Sequence, residues 1–255
     1  MRPLPNRREI VSHAILLAGG KGSRLRPYTD ETPKALVRIG DYTILEIILR
    51  QLRVAGFTRV TLCVSHLAGM VADAIRDGSG LGIAVDYCHD VVPLGTAAPL
   101  GLVQDWTSPA LVMNGDILTA MDFADVMASH RRSGAMLTVA ARQHPLAVPF
   151  GVIDTDGEQI LSITEKPSVH VDVSVGIQIV DPGVRTYITE GAPMDMPDLV
   201  TALIKDGRTV RAHRFSEPWF DIGTVPNLRA ATKAFDADRG RFLAESELSD
   251  VAASS

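Results

Sequence analysis

From residue 13 to residue 141, short apolar runs alternate with stretches whose apolar side chains recur every three or four positions. Few folds accommodate that rhythm. The short runs have the length of strands buried on both faces, and the longer stretches have the period of amphipathic helices. Residues 13–18 (HAILLA) read as the first strand, ended by Gly19 and Gly20. Residues 42–55 read as a helix, because Ile44, Ile47, Ile48, Leu52 and Ala55 recur at helical spacing and Gly56 stops it. Further strands are expected at 60–64, 83–87, 110–113 and 135–141, and further helices at 68–76, 96–103 and 123–133. This repetition predicts an α/β chain with a mostly parallel central sheet flanked by helices.

After residue 141 the pattern changes. Residues 150–153, 160–164 and 173–180 read as strands, with Asp156-Gly157 turning the first two into a hairpin. They suggest an α+β extension of the same sheet, closed by helices at 198–206 and 225–236. The stretch from about Phe235 onward is polar and acidic, and is expected to fray or to lie on the surface. With no internal repeat or clear linker, the 255 residues read as a single domain.

Composition excludes several classes of function. Hydrophobic residues make up 46% and charged residues 22%, which is a globular rather than a disordered balance. The net charge of −5 argues against a nucleic-acid binder, although a small anion needs only a local positive pocket. Two cysteines, Cys63 and Cys88, cannot build a multi-thiolate zinc site and fit a reducing cytoplasm. No stretch approaches the roughly 20 apolar residues of a membrane span. The N-terminal segment MRPLPNRREIVSH is basic, but the apolar run behind it is too short for a signal-peptide core. A homo-oligomeric state is compatible with all of this and is not fixed by it.

In an open α/β sheet, ligands bind beyond the carboxyl ends of the strands. The most informative loop lies there. In LLAGGKGSRLRP, residues 16–27, three glycines within four positions let the backbone approach a ligand closely. Successive free N–H groups in such a turn form a nest for an anion. The loop is neither a GxxxxGK[ST] nor a GxGxxG motif. Its distinguishing feature is charge: Lys21, Arg24, Arg26 and Lys34 all fall close behind the glycines. Lysine is scarce in this chain, with five among 25 basic residues, yet Lys21, Lys34 and Lys166 sit inside motifs. Taken alone, Asn114-Gly115-Asp116 is a turn as readily as a ligand site, and Glu165-Lys166-Pro167 a solvated charge pair. Asp221 could equally cap a turn.

Taken in order, however, these segments resemble a known family. LAGGKGSRLRPYTDETPKAL, residues 17–36, is similar to the signature of sugar-1-phosphate nucleotidylyltransferases. Pro93-Leu94-Gly95-Thr96-Ala97, Asn114-Gly115-Asp116, Phe150-Gly151-Val152, Glu165-Lys166-Pro167 and Trp219–Thr224 then resemble its later elements, from about residue 13 to 235. The resemblance implies a Rossmann-like nucleotidyltransferase fold. It also implies a nucleotide-binding half at 13–141, a sugar-phosphate-binding half at 142–235 and a tail at 236–255.

The reaction implied is that of an NTP with a sugar 1-phosphate, giving an NDP-sugar and pyrophosphate with Mg2+ as cofactor. Leu17, Ala18, Gly19, Gly20, Gly22 and Ser23 are then expected to cradle the nucleotide, with Gly95 and Thr96 near its base. Arg24 and Lys34 are expected on the phosphates, and Asp116 and Asp221 on the metal. Gly151, Glu165, Ser174 and Gly176 are expected to line the sugar, with Lys166 on the attacking phosphate.

Some positions depart from the usual pattern. Val92 stands where a glutamate often precedes the PLGTA loop. Ala98 replaces a frequent glycine, and Ser174 replaces a longer asparagine. Residues 96–102 (TAAPLGL) and 194–207 resemble the branch that transfers GMP to mannose- or heptose-like 1-phosphates. Thymidylyl or uridylyl transfer to glucose 1-phosphate stands close behind. A catalytically silent nucleotide-sugar sensor is the alternative of another class, although such a chain would be expected to have lost Arg24, Lys166 or a metal aspartate.

Overall fold

The computed structural model describes residues 12–65, 67–89 and 94–248. Val92 and Pro93, the basic segment 1–11 and the end of the tail lie outside the described residues. The first apolar run forms β1, Ser12–Leu17. The helix that follows, α1, spans Ile44–Val54. Its start is fixed by a reciprocal cap: the Glu46 N–H donates to Thr43 Oγ1 (3.2 Å), and the Thr43 N–H donates to Glu46 Oε2 (2.6 Å). Then come β2 (Phe57–Val64), α2 (Ala68–Ile75) and β3 (Ala84–His89). They are followed by β4 (Ala110–Asn114), the short β5 (Ile117–Thr119) and α3 (Phe123–Ser133).

The second half contributes β6 (Leu137–Ala147), β7 (Gly151–Asp156), β8 (Gln159–Glu165) and β9 (Ser168–Val180). After them come α4 (Met196–Lys205), β10 (Val210–Arg214), β11 (Trp219–Asp221) and α5 (Val225–Ala237).

Seven strands make the main sheet, in the order β10-β6-β9-β4-β1-β2-β3. The ladders β4–β1, β1–β2, β2–β3 and β6–β10 are parallel, and β9 runs antiparallel to both of its neighbours. The period of two along β1 divides the core. Ala14 and Leu16 join the layer built with Ile47, Ile48 and Phe235, whereas Ile15 joins the layer built with Trp106, Leu199 and Leu203. From β1 the chain steps outward to β2 and β3, and then returns to place β4 on the other side of β1. That reversal opens a crevice between the carboxyl ends of β1 and β4.

Three local expectations need correction. Residues 96–103 do not form an α-helix; only a 3-10 turn covers Ala98–Leu102. The Ala97 and Ala98 N–H groups, which would open a helix, both donate to the Met194 carbonyl, and Pro99 has no N–H to offer. Second, 150–153 and 160–164 do not extend the main sheet. β7 and β8 pair only with each other, and they prolong the β6–β9 ladder into a two-stranded ribbon that leaves the sheet. β10 stops opposite Ala141 and β4 stops opposite Ile177, so nothing in the sheet covers the ribbon beyond those points. Third, the tail does not fray at its start. Phe242 and Leu243 are buried against α1 and α5, and Glu247, 1% exposed, accepts from Arg50 and Arg53 of α1.

A polar side chain also sits inside the core layer of β1. His13 is buried with Nε2 2.8 Å from Thr61 Oγ1 on β2. Burial, aided by the nearby Arg59, holds its pKa down at about 4. The folded chain therefore keeps His13 neutral down to about pH 4, while the unfolded chain protonates it below about pH 6.5. Stability contributed by this residue is whole above pH 6.5 and is lost as pH falls towards 4, by about 3 kcal/mol in full. Urea unfolding from pH 7.5 to 4 should show this loss in the wild type and a shallower loss in His13→Gln. Parallel pH curves for the two proteins would contradict the assignment.

Candidate active site

At the crevice, backbone hydrogen bonds tie three strand ends together. The Ala18 N–H donates to the Cys63 carbonyl (2.8 Å) and the Gly115 N–H to the Leu17 carbonyl (2.9 Å). Ser65, just past β2, donates its hydroxyl to the Gly19 carbonyl (2.7 Å). Gly115 packs against β1 so closely that a Cβ there would lie 3.2 Å from the Leu17 oxygen. Further along the loop, Gly22 takes φ +64°, and its carbonyl accepts from the Thr29 hydroxyl (2.7 Å). The loop is thus held by its carbonyls.

A cavity of about 410 Å3 opens beyond these strand ends. Of the residues expected at the nucleotide, Leu17, Ala18, Gly19, Gly20, Gly22, Ser23, Gly95 and Thr96 all line it. So do Arg24, Lys34 and Asp116. Lys21 lines it as well, whereas Arg26 is exposed in an ion pair with Asp30 (3.2 Å). On the opposite rim, Gly95 takes φ +92°, and the Thr96 N–H and hydroxyl both donate to Asp195 Oδ1 (3.0 and 3.2 Å). The Met196 N–H donates back to the Thr96 hydroxyl (2.8 Å). The start of α4 therefore fixes the rim.

Asp221 arrives from the far end of the chain. β11 pairs with β5, which sets Asp221 opposite Ile117, and the Ile222 N–H donates to the Asp116 carbonyl (2.9 Å). Asn227 then holds the Asp221 carbonyl from α5 (2.8 Å). A Cβ on Gly223, which lines the cavity, would lie 3.3 Å from both Asp221 carboxylate oxygens and 3.4 Å from Arg24 Nη2. An anion and a cation therefore share this corner.

Burial raises the Asp221 pKa, and the Asp116 charge raises it further, while Lys34 and Arg24 pull it down. Lys34 is ion-paired with Asp116. Among the described residues, no group of three or more His, Cys, Asp or Glu side chains forms a ready-made cation cage. Two neighbouring carboxylates that repel each other nevertheless fit a hard divalent ion whose other ligands are phosphate oxygens and water.

The expected sugar residues are placed differently. Gly151, Glu165 and Lys166 stand on the ribbon and do not line the cavity. Lys166 Nζ lies 3.8 Å from Glu165 Oε1, with the two side chains 69% and 71% exposed. Ser174 is exposed on β9. Gly176 borders the cavity wall, since a Cβ there would lie 2.7 Å from Asn114 Nδ2.

Ser65 lies in no motif, Asn114 figures only as part of the Asn114-Gly115-Asp116 element, and Asp195 only as part of the 194–207 segment. The strand-end rule reaches Ser65 and Asn114, because each closes or follows an expected strand. Asp195 has only the generic mark of an acidic residue before a helix.

The sequence profile described as Nucleotidyl transferase matches residues 13–238. A UTP–glucose-1-phosphate uridylyltransferase of Synechocystis is 33% identical over 235 residues, covering 84% of this chain and 61% of that protein. The catalytic subunit beta of mannose-1-phosphate guanylyltransferase from Drosophila pseudoobscura is 32% identical over 221 residues, covering 83% and 59%. This chain thus spans about three fifths of the length of those relatives. Among solved structures, a Bacillus anthracis protein described as a glucose-1-phosphate thymidylyltransferase, in complex with a sucrose, superimposes with a TM-score of 0.70. Its identity is 26%, and the match covers 88% of this chain and 95% of that one.

The loop geometry separates two glycines that look alike in the sequence. A Cβ on Gly95 would lie 2.6 Å from the Met194 carbonyl and 2.7 Å from Asp195 Oδ1, at a φ that side chains avoid. A Cβ on Gly20 would meet nothing within 4 Å. Gly95→Ala should cost about 1–3 kcal/mol in urea unfolding, and Gly20→Ala less than about 0.5 kcal/mol. Equal losses would contradict the described rim.

Proposed function

The chain belongs to the nucleotidyl transferase family, and we propose that it joins a nucleoside triphosphate to a sugar 1-phosphate, forming an NDP-sugar and pyrophosphate. The observation that carries this reading is a single cavity lined by the glycine loop, Arg24, Lys34 and Asp116, with Asp221 behind its Gly223 wall and electrostatically coupled to Asp116. In the reaction, a phosphate oxygen of the sugar phosphate forms a bond to the α-phosphorus. The bond from that phosphorus to the bridging oxygen breaks, and pyrophosphate departs with the electron pair. The attacking oxygen is already ionised, so no general base is needed. What must be overcome is the repulsion of two polyanions, by fixed charge and by positioning.

On this reading the backbone of Leu17, Ala18, Gly19, Gly20 and Gly22, with Ser23, cradles the triphosphate. Arg24 neutralises the charge that builds on the departing pyrophosphate, and Lys34 contacts the phosphates from the opposite side. Gly95 and Thr96 border the base. Asp116 and Asp221 would hold Mg2+, which when bound supplies a hard divalent charge for phosphate oxygens. Gly151, Glu165, Ser174 and Gly176 serve the sugar, and Lys166 orients its phosphate. Lys166 stands outside the cavity, so this role requires the ribbon to approach the cavity when the sugar phosphate binds.

GTP with a mannose- or heptose-like 1-phosphate is the substrate pair we favour. Residues 96–102 support it, as does similarity to a mannose-1-phosphate guanylyltransferase subunit. Uridylyl or thymidylyl transfer to glucose 1-phosphate is the second reading, supported by the Synechocystis relative. A cytoplasmic setting belongs to the proposal and rests on the cysteine usage. No helix among the described residues is long and apolar enough to cross a membrane.

Pyrophosphate release should require NTP, sugar 1-phosphate and Mg2+ together, with GTP and mannose 1-phosphate the fastest pair of a panel. Preference for UTP or dTTP would select the second reading, and no release with any pair would refute the activity. Asp116→Asn and Asp221→Asn should each lower turnover about 100-fold or more with the fold intact. Lys166→Ala should raise the KM for the sugar phosphate far more than that for the NTP. Equal effects on both would contradict its role.

A further inference from the structure

One row of residues crosses four strands of the main sheet at their carboxyl ends. Asn114 of β4 pairs with Leu17 of β1, Leu17 with Cys63 of β2, and Cys63 with Cys88 of β3. The two cysteines share one face of the sheet. Both join the layer of Ile15 and Trp106, whereas Leu62, Val64 and Val85 join the other. Both are thiols. Neighbouring strands run about 4.8 Å apart, inside the roughly 4.4–6.8 Å between α-carbons that a disulfide spans. A disulfide prefers its β-carbons roughly 3.5–4.5 Å apart, so closing one here would draw the two strands together. β3 can yield, because it is an edge strand held by a ladder on one side only. A bond closed against such resistance is easily reduced, which marks a labile disulfide rather than a structural one.

The pair has an entrance. Cys63 is only 3% exposed, yet it lines the cavity together with Leu17 and Asn114. Lys21, Arg24 and Lys34 line the same cavity, and reactive cysteines sit in electropositive surroundings of this kind. The Cys63 carbonyl also accepts the Ala18 N–H (2.8 Å), so a shift of β2 at Cys63 reaches the glycine loop directly. We propose that Cys63 and Cys88 form a thiol–disulfide modification site, closed by a low-molecular-weight disulfide that enters through the cavity. The Cys63 thiolate attacks one sulfur of that reagent and displaces its other half as a thiolate. The Cys88 thiolate then attacks the Cys63 sulfur of the mixed disulfide and displaces the second half. Two cysteine thiols are oxidised, the small disulfide is reduced to two thiols, and these take up the two cysteine protons. Closure pulls on β2 and loosens the Ala18 anchor. In a reducing compartment the pair rests open, and it closes when the thiol pool becomes more oxidised.

The test uses the full chain. Incubation with oxidised glutathione should remove two hydrogens from the mass of the wild type and join the peptides that contain Cys63 and Cys88, and dithiothreitol should reverse both changes. Cys88→Ser should instead keep glutathione on Cys63 and form no cross-link. Should that variant fail to fold, Cys88→Ala carries the same comparison. Amides of residues 18–22 should exchange with deuterium about 10-fold faster in the oxidised wild type than in the reduced one. Calorimetry should show the affinity for GTP falling about 10-fold on oxidation and returning on reduction. This last arm alone rests on the nucleotide reading: a reduced protein that binds no nucleoside triphosphate would count against that reading, while the mass and exchange data still decide the thiol pair. An unchanged mass, glutathione retained on the wild type, a cross-link between two chains, or loop exchange indifferent to oxidation would overturn the proposal.

Discussion

The site rests on how the carbonyls of its first loop are occupied. Leu17 accepts from Gly115, Gly19 from Ser65 and Gly22 from Thr29, so residues on three other segments hold the loop through its oxygens. Apart from the Ala18 N–H, which donates to Cys63, these anchors draw on the carbonyls of the loop rather than on the N–H groups that an anion nest offers. The same bonds fix the strand ends against one another. Asp116, one residue beyond Gly115, is thereby placed at a set distance from the glycine loop, and β11 brings Asp221 to it through the Ile222–Asp116 backbone bond.

Charge placement follows from this scaffold. Burial raises the Asp221 pKa first and the neighbouring Asp116 charge raises it further, so the two carboxylates destabilise each other in this half-buried corner. Lys34 and Arg24 offset part of that repulsion, and a divalent ion would offset the rest. Charges about 4 Å apart at a protein surface interact by about 4 kcal/mol, so a small displacement of Arg24 or Asp221 would change the balance. The absence of a side chain at Gly223 matters for this reason, since a Cβ there would crowd both groups.

The parallel half of the fold can be read from the chain because its strands are buried on both faces. HAILLA has no polar alternation to misread, and the glycines behind it mark the strand end at which the ligand rule applies. The charges near the cavity are also legible, since Lys21, Arg24 and Lys34 follow the glycines closely. The ribbon is not. Residues 142–149 (RQHPLAVP) carry neither an apolar period nor a run, because that segment is not buried against the core. The tail misleads for the opposite reason. In FDADRGRFLAESEL the polar residues dominate the composition, yet Phe242, Leu243 and an ion-paired Glu247 are what the core receives. The rim at Gly95 is opaque as well, because nothing in the sequence pairs its Thr96 with Asp195, which lies about 100 residues away.

The central claim is that glycine loop, cations and paired aspartates form one binding corner for a metal-bound triphosphate. A crystal soaked with Mn2+ and a non-hydrolysable NTP analogue, with data collected at the manganese absorption edge, tests it most directly. The account predicts an anomalous peak bonded to Asp116 and Asp221, with the phosphates on residues 19–24. Manganese bound elsewhere, or phosphates seated away from that loop, would contradict it.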